Sequence, residues 1–99
     1  MEQTYFPAVV QAMAGEDFTV YAYFSDGSIK RFDVKPLIQR GGVFSKLADE
    51  KLFQSALTVL NDTIAWDFTG RYDSTQCIDI DPFEVYEGEN VRDPLEASA

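Results

Sequence analysis

The stretch "DFTVYAYFSDGSIKRFDV", residues 17–34, decides how the chain must fold. Its first half alternates, with Phe18, Val20, Ala22 and Phe24 on one face of a strand and Thr19, Tyr21 and Tyr23 on the other. Asp26-Gly27 then interrupts two strand-like runs, and both residue types tolerate the positive φ of a tight turn, so the stretch predicts a β-hairpin. With Asp26 and Gly27 as the two loop residues, Phe24 faces Ile29, Tyr23 faces Lys30 and Tyr21 faces Phe32. A longer, bulged turn shifts that pairing. In the two-residue register one face carries Phe18, Val20, Phe24 and Ile29, and the other carries Tyr21, Tyr23 and Phe32. Both faces are apolar, so the second needs a cover: the N-terminal segment, the C-terminal turn or a partner.

Around the hairpin, "VVQAMAG" reads as a preceding strand separated by "GED". "DVKPLIQRGG" reads as a helical turn opened by Pro36 and closed by Gly41 or Gly42 in a left-handed conformation. "SKLADEKLFQSALTVL", residues 45–60, is expected as the main helix, capped by Ser45 or Asp49, with Leu52, Phe53, Ala56, Leu57 and Leu60 in an apolar stripe. "TIAWDF" alternates Ile64, Trp66 and Phe68 inward against Thr63, Ala65 and Asp67, the pattern of a half-buried antiparallel strand. After a polar loop, "CIDI" re-enters the core. These pieces give an α+β fold: an antiparallel sheet built around a β-hairpin meander, with one main helix packed on one face. Residues 1–90 form a single domain and residues 91–99 a flexible acidic tail expected to fray.

A chain of 99 residues has one core and buries roughly 60 to 70% of its unfolded surface. No stretch approaches the ~20 apolar residues that span a bilayer, and "MEQTYFPAVV" lacks the pattern of a secretion signal, so a cytoplasmic protein without membrane contact is expected. A lone cysteine, Cys77, agrees with a reducing compartment. The net charge of −9 repels phosphate backbones and argues against direct nucleic-acid binding. Histidine is absent, which removes imidazole acid–base chemistry and His-activated nucleophiles.

The acidic stretch "CIDIDPFEVYEGEN", residues 77–90, has two readings. Structurally, Cys77 and Asp79 share the outer face of a strand, and Ile78 and Ile80 the inner one. Asp81 then caps a helical turn begun by Pro82, with Glu84 at the reciprocal position of a capping box and Phe83 or Tyr86 as its anchor. The functional alternative is a divalent cation held by Asp79, Asp81 and Glu84 or Glu87. The spacing departs from a calcium-binding loop, since Phe83 stands where a ligand belongs and Glu84 where glycine makes the turn.

Pro7 and Val9, Phe24-Ser25-Asp26-Gly27, Phe32-Asp33, Pro36-Leu37, Phe44 to Asp49 with Phe53, Ile64-Ala65-Trp66, and Ile78 to Pro82 with Tyr86 occur in an order that resembles the bacterial family known as domain of unknown function 2442. The resemblance implies a small α+β domain with no known catalytic residues. A helix-turn-helix segment follows the domain in some members, which implies a sensing or partner-binding role. The combined expectation is a non-enzymatic protein-interaction or regulatory module with no cofactor, whose patch is Tyr21, Tyr23 and Phe32 and whose partner is another protein or a second copy. The alternative is a small-ligand or metal-binding domain with weak hydrolytic activity at Asp79 and Asp81.

The two readings of the acidic stretch separate in thermal melts. As a cap, Asp81 loses roughly 0.5 to 2 kcal/mol on substitution by Ala, while Asp79→Ala changes stability little. A shared cation would instead make either substitution abolish a magnesium- or calcium-dependent, chelator-sensitive stabilisation.

Overall fold

A computed structural model describes residues 7–70 and 77–97. Its first sheet has the order β1-β2-β3-β7, all antiparallel: β1 (Val9–Ala14), β2 (Thr19–Phe24), β3 (Ile29–Asp33) and β7 (Glu89–Asn90). A second antiparallel sheet has the order β4-β5-β6, with β4 (Leu57–Leu60), β5 (Thr63–Asp67) and β6 (Cys77–Asp79). Helices α1 (Lys35–Arg40), α2 (Glu50–Ala56), α3 (Pro82–Tyr86) and α4 (Pro94–Ala97) are short, and a 3₁₀ helix spans Gly42–Ala48. The α+β class and the antiparallel pairing agree with expectation. The polar loop expected at 69–76 lies outside the described residues from 71 onward.

The hairpin forms where expected, but its turn is one residue longer. The Phe24 N–H donates to the Ser28 carbonyl at 2.9 Å, leaving Ser25, Asp26 and Gly27 as a three-residue loop, with Gly27 at φ 90°. This is the loop length that places a left-handed residue, here glycine, at its third position. Asp26 Oδ1 accepts from the Ser28 N–H at 2.9 Å and from its hydroxyl at 2.6 Å, which fixes the loop locally.

The single main helix expected over residues 45–60 is divided into three pieces. Residues 42–48 are 3₁₀; Asp49 caps α2 by accepting from the Lys51 and Leu52 N–H groups; and α2 stops at Ala56. Leu57–Leu60 is a strand, because Asn61 and Asp62 both take left-handed backbone (φ 54° and 66°) and turn the chain straight back into β5. Helix-like spacing of Leu57 and Leu60 concealed this, since four residues are too few to show alternation.

The two sheets share one core. Val9, Val20, Ala22 and Phe24 from the first meet Ile64 and Trp66 from the second, with Val34, Leu37, Leu47, Phe53, Ala56, Ile80 and Val85 filling between. The backbone stitches them as well: the Val9 N–H donates to the Asp62 carbonyl at 2.8 Å. Ile64 and Trp66 point inward as read, but Thr63 and Ala65 are buried too, so β5 is central rather than half-buried. Thr63 answers its burial by donating its hydroxyl to the Ile80 carbonyl. Gly88 lets the chain pass from α3 into β7: an added Cβ would sit 2.9 Å from the Arg31 carbonyl oxygen. Among the described residues no helix is long and apolar enough to cross a membrane.

Trp66 is fully buried; its indole N–H donates to the Phe53 carbonyl at 3.0 Å and its ring lies 5.4 Å from that of Phe53. Trp66→Ala is expected to cost roughly 3 to 5 kcal/mol in denaturant unfolding, and a loss under about 1 kcal/mol would show that the site collapses around the smaller side chain.

Candidate functional site

The one-residue change in the hairpin decides which side chains share the outer face of the first sheet. The pairs are Tyr23↔Ile29, Tyr21↔Arg31 and Val20↔Phe32. Tyr21 and Tyr23 therefore share a face as read, whereas Phe32 lies opposite Val20 on the inner side, where it packs against the core. The expected trio is thus corrected: the longer turn moves every β3 side chain to the other face, bringing Ile29 beside the tyrosines and taking Phe32 away. Across β2, Met13 pairs with Tyr21 and Gln11 with Tyr23. A bulge between Val9 and Gln11 leaves Val10 unpaired and 62% exposed at the sheet edge. Met13, Tyr21, Tyr23 and Ile29 are half-buried, and none of the four belongs to the core or packs against it.

This face has two halves. Over Tyr23 runs the chain that leaves β7: the Val91 N–H donates to the Ile29 carbonyl at 3.1 Å, and the Tyr23 hydroxyl donates to Asp93 Oδ1 at 2.8 Å, close to Met13 Sδ. Burial, then the bond and charge of Asp93, push the Tyr23 phenol up to about 12. Residue 90 is the last of β7, and the chain just beyond it, expected as a fraying tail, is instead held across this half of the sheet by the bonds of Val91 and Asp93.

Over Tyr21 the face opens into a basin of about 1020 Å³. One wall is the turn from β1 to β2, in which Asp17 and Phe18 both take positive φ (57° and 61°). For phenylalanine this is a costly conformation, and three contacts hold it: its ring packs edge-on to Phe53 at 5.3 Å, its carbonyl accepts from the Val34 N–H at 3.0 Å, and Lys35 Nζ donates to the Asp17 carbonyl at 2.9 Å. Phe18 thus reaches the core from a turn rather than from the strand. Gly15 sits against the tyrosine; a Cβ there would stand 2.6 Å from Thr19 Oγ1 and 2.8 Å from Tyr21 Cε2.

Among the described residues both basic side chains lining the basin are engaged. Arg31 pairs with Glu89 at 2.6 Å, and the Glu89 charge, with further help from its bond and the Tyr21 hydroxyl, raises the guanidinium pKa. Lys35 Nζ lies 3.1 Å from both Asp17 Oδ2 and Asp33 Oδ1, and its bond to Asp33, then that to Asp17, raises its pKa. Burial alone would raise the Asp33 carboxyl, but the Lys35 N–H and ammonium outweigh it and hold Asp33 below the usual range. The lining also contains Glu16 and Glu50, which pair with no cation among the described residues.

The acidic stretch follows its structural reading in the strand and in the Asp81 cap. Ile80 is buried, Asp79 is exposed, and the Asp81 carboxylate accepts from the Phe83 N–H at 2.8 Å with Pro82 in the first turn of α3. Glu84 stands in that same first turn and Glu87 just beyond α3. Among the described residues no three acidic or cysteine side chains gather in a metal-holding group. Tyr86 anchors α3: its ring packs edge-on to Phe24 at 4.9 Å and its hydroxyl donates to Asp26 Oδ2 at 2.7 Å. Bonds from the Ser28 hydroxyl, then from Tyr86, then from the Ser28 N–H hold the Asp26 carboxyl down at about 2.

Sequence reading missed Ile29 and Met13 as members of the face and missed the basin altogether. A three-residue reading of "SDG" would have found Ile29; nothing local marks Glu16 and Glu50, 34 positions apart in sequence, as lining one basin. The family model described as "Protein of unknown function (DUF2442)" matches residues 9–91. No curated protein and no solved structure matches the chain.

The Tyr23–Asp93 contact is expected to show in a tyrosinate absorbance titration. The phenol ionises near 10 in an unfolded chain and near 12 here, so its contribution to stability is fully present below pH ~10 and is lost as pH rises through about 12. Tyr23→Phe should remove a step titrating near 12. Asp93→Asn should lower it without bringing it to 10, since burial is the larger cause.

Proposed function

The chain belongs to the DUF2442 family, and from that starting point we propose that it is a non-enzymatic interaction or regulatory module that binds through the outer face of its four-stranded sheet. The observation that carries this reading is the placement of Met13, Tyr21, Tyr23 and Ile29 together on a face outside the core. Tyrosine and methionine are enriched at the centres of protein interfaces, where tyrosine supplies large contact area at low entropic cost. The surrounding polar residues, Arg31, Asp33 and Glu89 among them, form the hydrated rim that such a centre needs.

The partner is another protein or a second copy of this chain. A charge of −9 disfavours nucleic acid and anionic membrane surfaces alike. The module acts in the cytoplasm and needs no cofactor; the single half-buried Cys77 suits a reducing compartment.

Peptides selected by display against the purified domain test this reading. Tyr21→Ser combined with Ile29→Ser is expected to weaken the selected peptides by roughly tenfold or more, as truncation at an interface centre does, while Phe83→Ser on α3 leaves them unchanged. Unchanged affinity in the Tyr21/Ile29 variant, with its melt intact, would remove this face as the binding surface. A concentration-dependent dimer abolished by the same variant would identify the partner as a second copy.

A further inference from the structure

We infer that the Tyr21 half of this face receives a lysine- or arginine-bearing segment of another protein, with a cationic side chain entering the basin between the Tyr21 ring and the carboxylates of Glu16 and Glu50. The inference rests on the interaction reading above and names the chemistry of the partner. The sheet face supplies the platform, and charge complementarity selects its occupant. Among the described residues five carboxylates line the basin (Glu16, Asp17, Asp33, Glu50 and Glu89) against two cations, Arg31 and Lys35. Each cation is already held by carboxylates of the same wall, Arg31 by Glu89 and Lys35 by Asp17 and Asp33, so neither is free to receive an anion. What the basin still offers is negative: Glu16 and Glu50, both exposed. An acidic segment, or a second copy of a chain with charge −9, meets like charge there, which costs affinity where opposite charge gains it.

The tyrosine adds a second attraction of the same sign. A cation over an aromatic face is drawn to the ring quadrupole, and the chain uses this contact elsewhere, with Lys30 Nζ 4.5 Å from the Tyr86 ring centre. At about 1020 Å³ the basin accommodates more than one long side chain of a bound segment, and its open shape suits an extended peptide rather than an enclosed small molecule.

Three capped nonapeptides of equal length test the inference by amide chemical-shift titration of the labelled full chain: lysine and arginine alternating with serine, the same with glutamine at the charged positions, and the same with glutamate. The lysine/arginine peptide is expected to give saturable shifts concentrated at Gly15 to Thr19, Tyr21 and Glu50, weakening with salt. Glu16→Gln with Glu50→Gln should weaken it roughly threefold to tenfold, as the loss of two rim charge contacts does. The control with the same change of net charge, Glu84→Gln with Glu87→Gln, neither of which lines the basin, should leave it unchanged. Equal weakening in both double variants, or shifts scattered over every acidic surface, would reduce the effect to general attraction and overturn the inference. Saturable binding of only the glutamine or glutamate peptide at Tyr21 would overturn it while the interaction reading stands. If no peptide shifts this face, the inference falls together with that reading.

Discussion

The hydrogen bond from the Trp66 indole to the Phe53 carbonyl is the contact on which the arrangement of the domain turns. Phe53 lies in the last turn of α2, where a helix runs out of its own N–H donors and its carbonyls must look elsewhere. Trp66 supplies that donor from the middle of β5. In doing so it satisfies two polar groups that burial would otherwise penalise, and it allows α2 to end after seven residues. The chain is then free to leave as β4 and reverse at Asn61-Asp62. Because the Trp66 ring also packs on Phe53, which in turn meets Phe18, one line of aromatic contact runs from the second sheet through α2 to the turn that walls the basin.

A second, polar linkage sets the other end of the face. Lys30 is only 7% exposed on the inner side of β3, an expensive place for a charge. Its ammonium donates to Asn90 Oδ1 at 2.5 Å and lies over the Tyr86 ring, and Tyr86 donates onward to Asp26 in the hairpin turn. The turn, α3 and β7 are thereby joined through one buried cation. This linkage holds β7 on the edge of β3, and β7 in turn delivers Glu89 to Arg31 and Asp93 to Tyr23. The composition of the outer face is a consequence of what happens on the inner one.

Local chemistry made much of this legible. Asp26-Gly27 located the hairpin, Asp49 and Asp81 were readable as caps, and the alternation of Ile78 and Ile80 with Asp79 placed the core side of the last long-range strand. What failed were choices that local pattern leaves nearly balanced. Two- and three-residue turns around one Asp-Gly differ by a single position, yet that position exchanges Phe32 for Ile29 on the outer face. Leu57 to Leu60 fits a helix stripe and a short strand equally well, and the deciding term, a tryptophan waiting nine positions beyond Leu57 to take the helix-end carbonyl, is tertiary. The basin was invisible for the same reason: it forms where the β1–β2 turn, β3 and α2 converge, and its residues share no periodicity.

The bulge at Val10 has a meaning for how the molecule behaves in a crowded solution. A regular, fully extended strand at a sheet margin offers its free backbone groups to any passing strand, and such growth has no natural end. Here one margin is kinked at Val10 and the opposite one is a strand of only two residues, Glu89–Asn90. Neither margin can template the next chain for long. The first sheet can therefore carry tyrosines on its outer face while both of its own margins resist edge-to-edge growth.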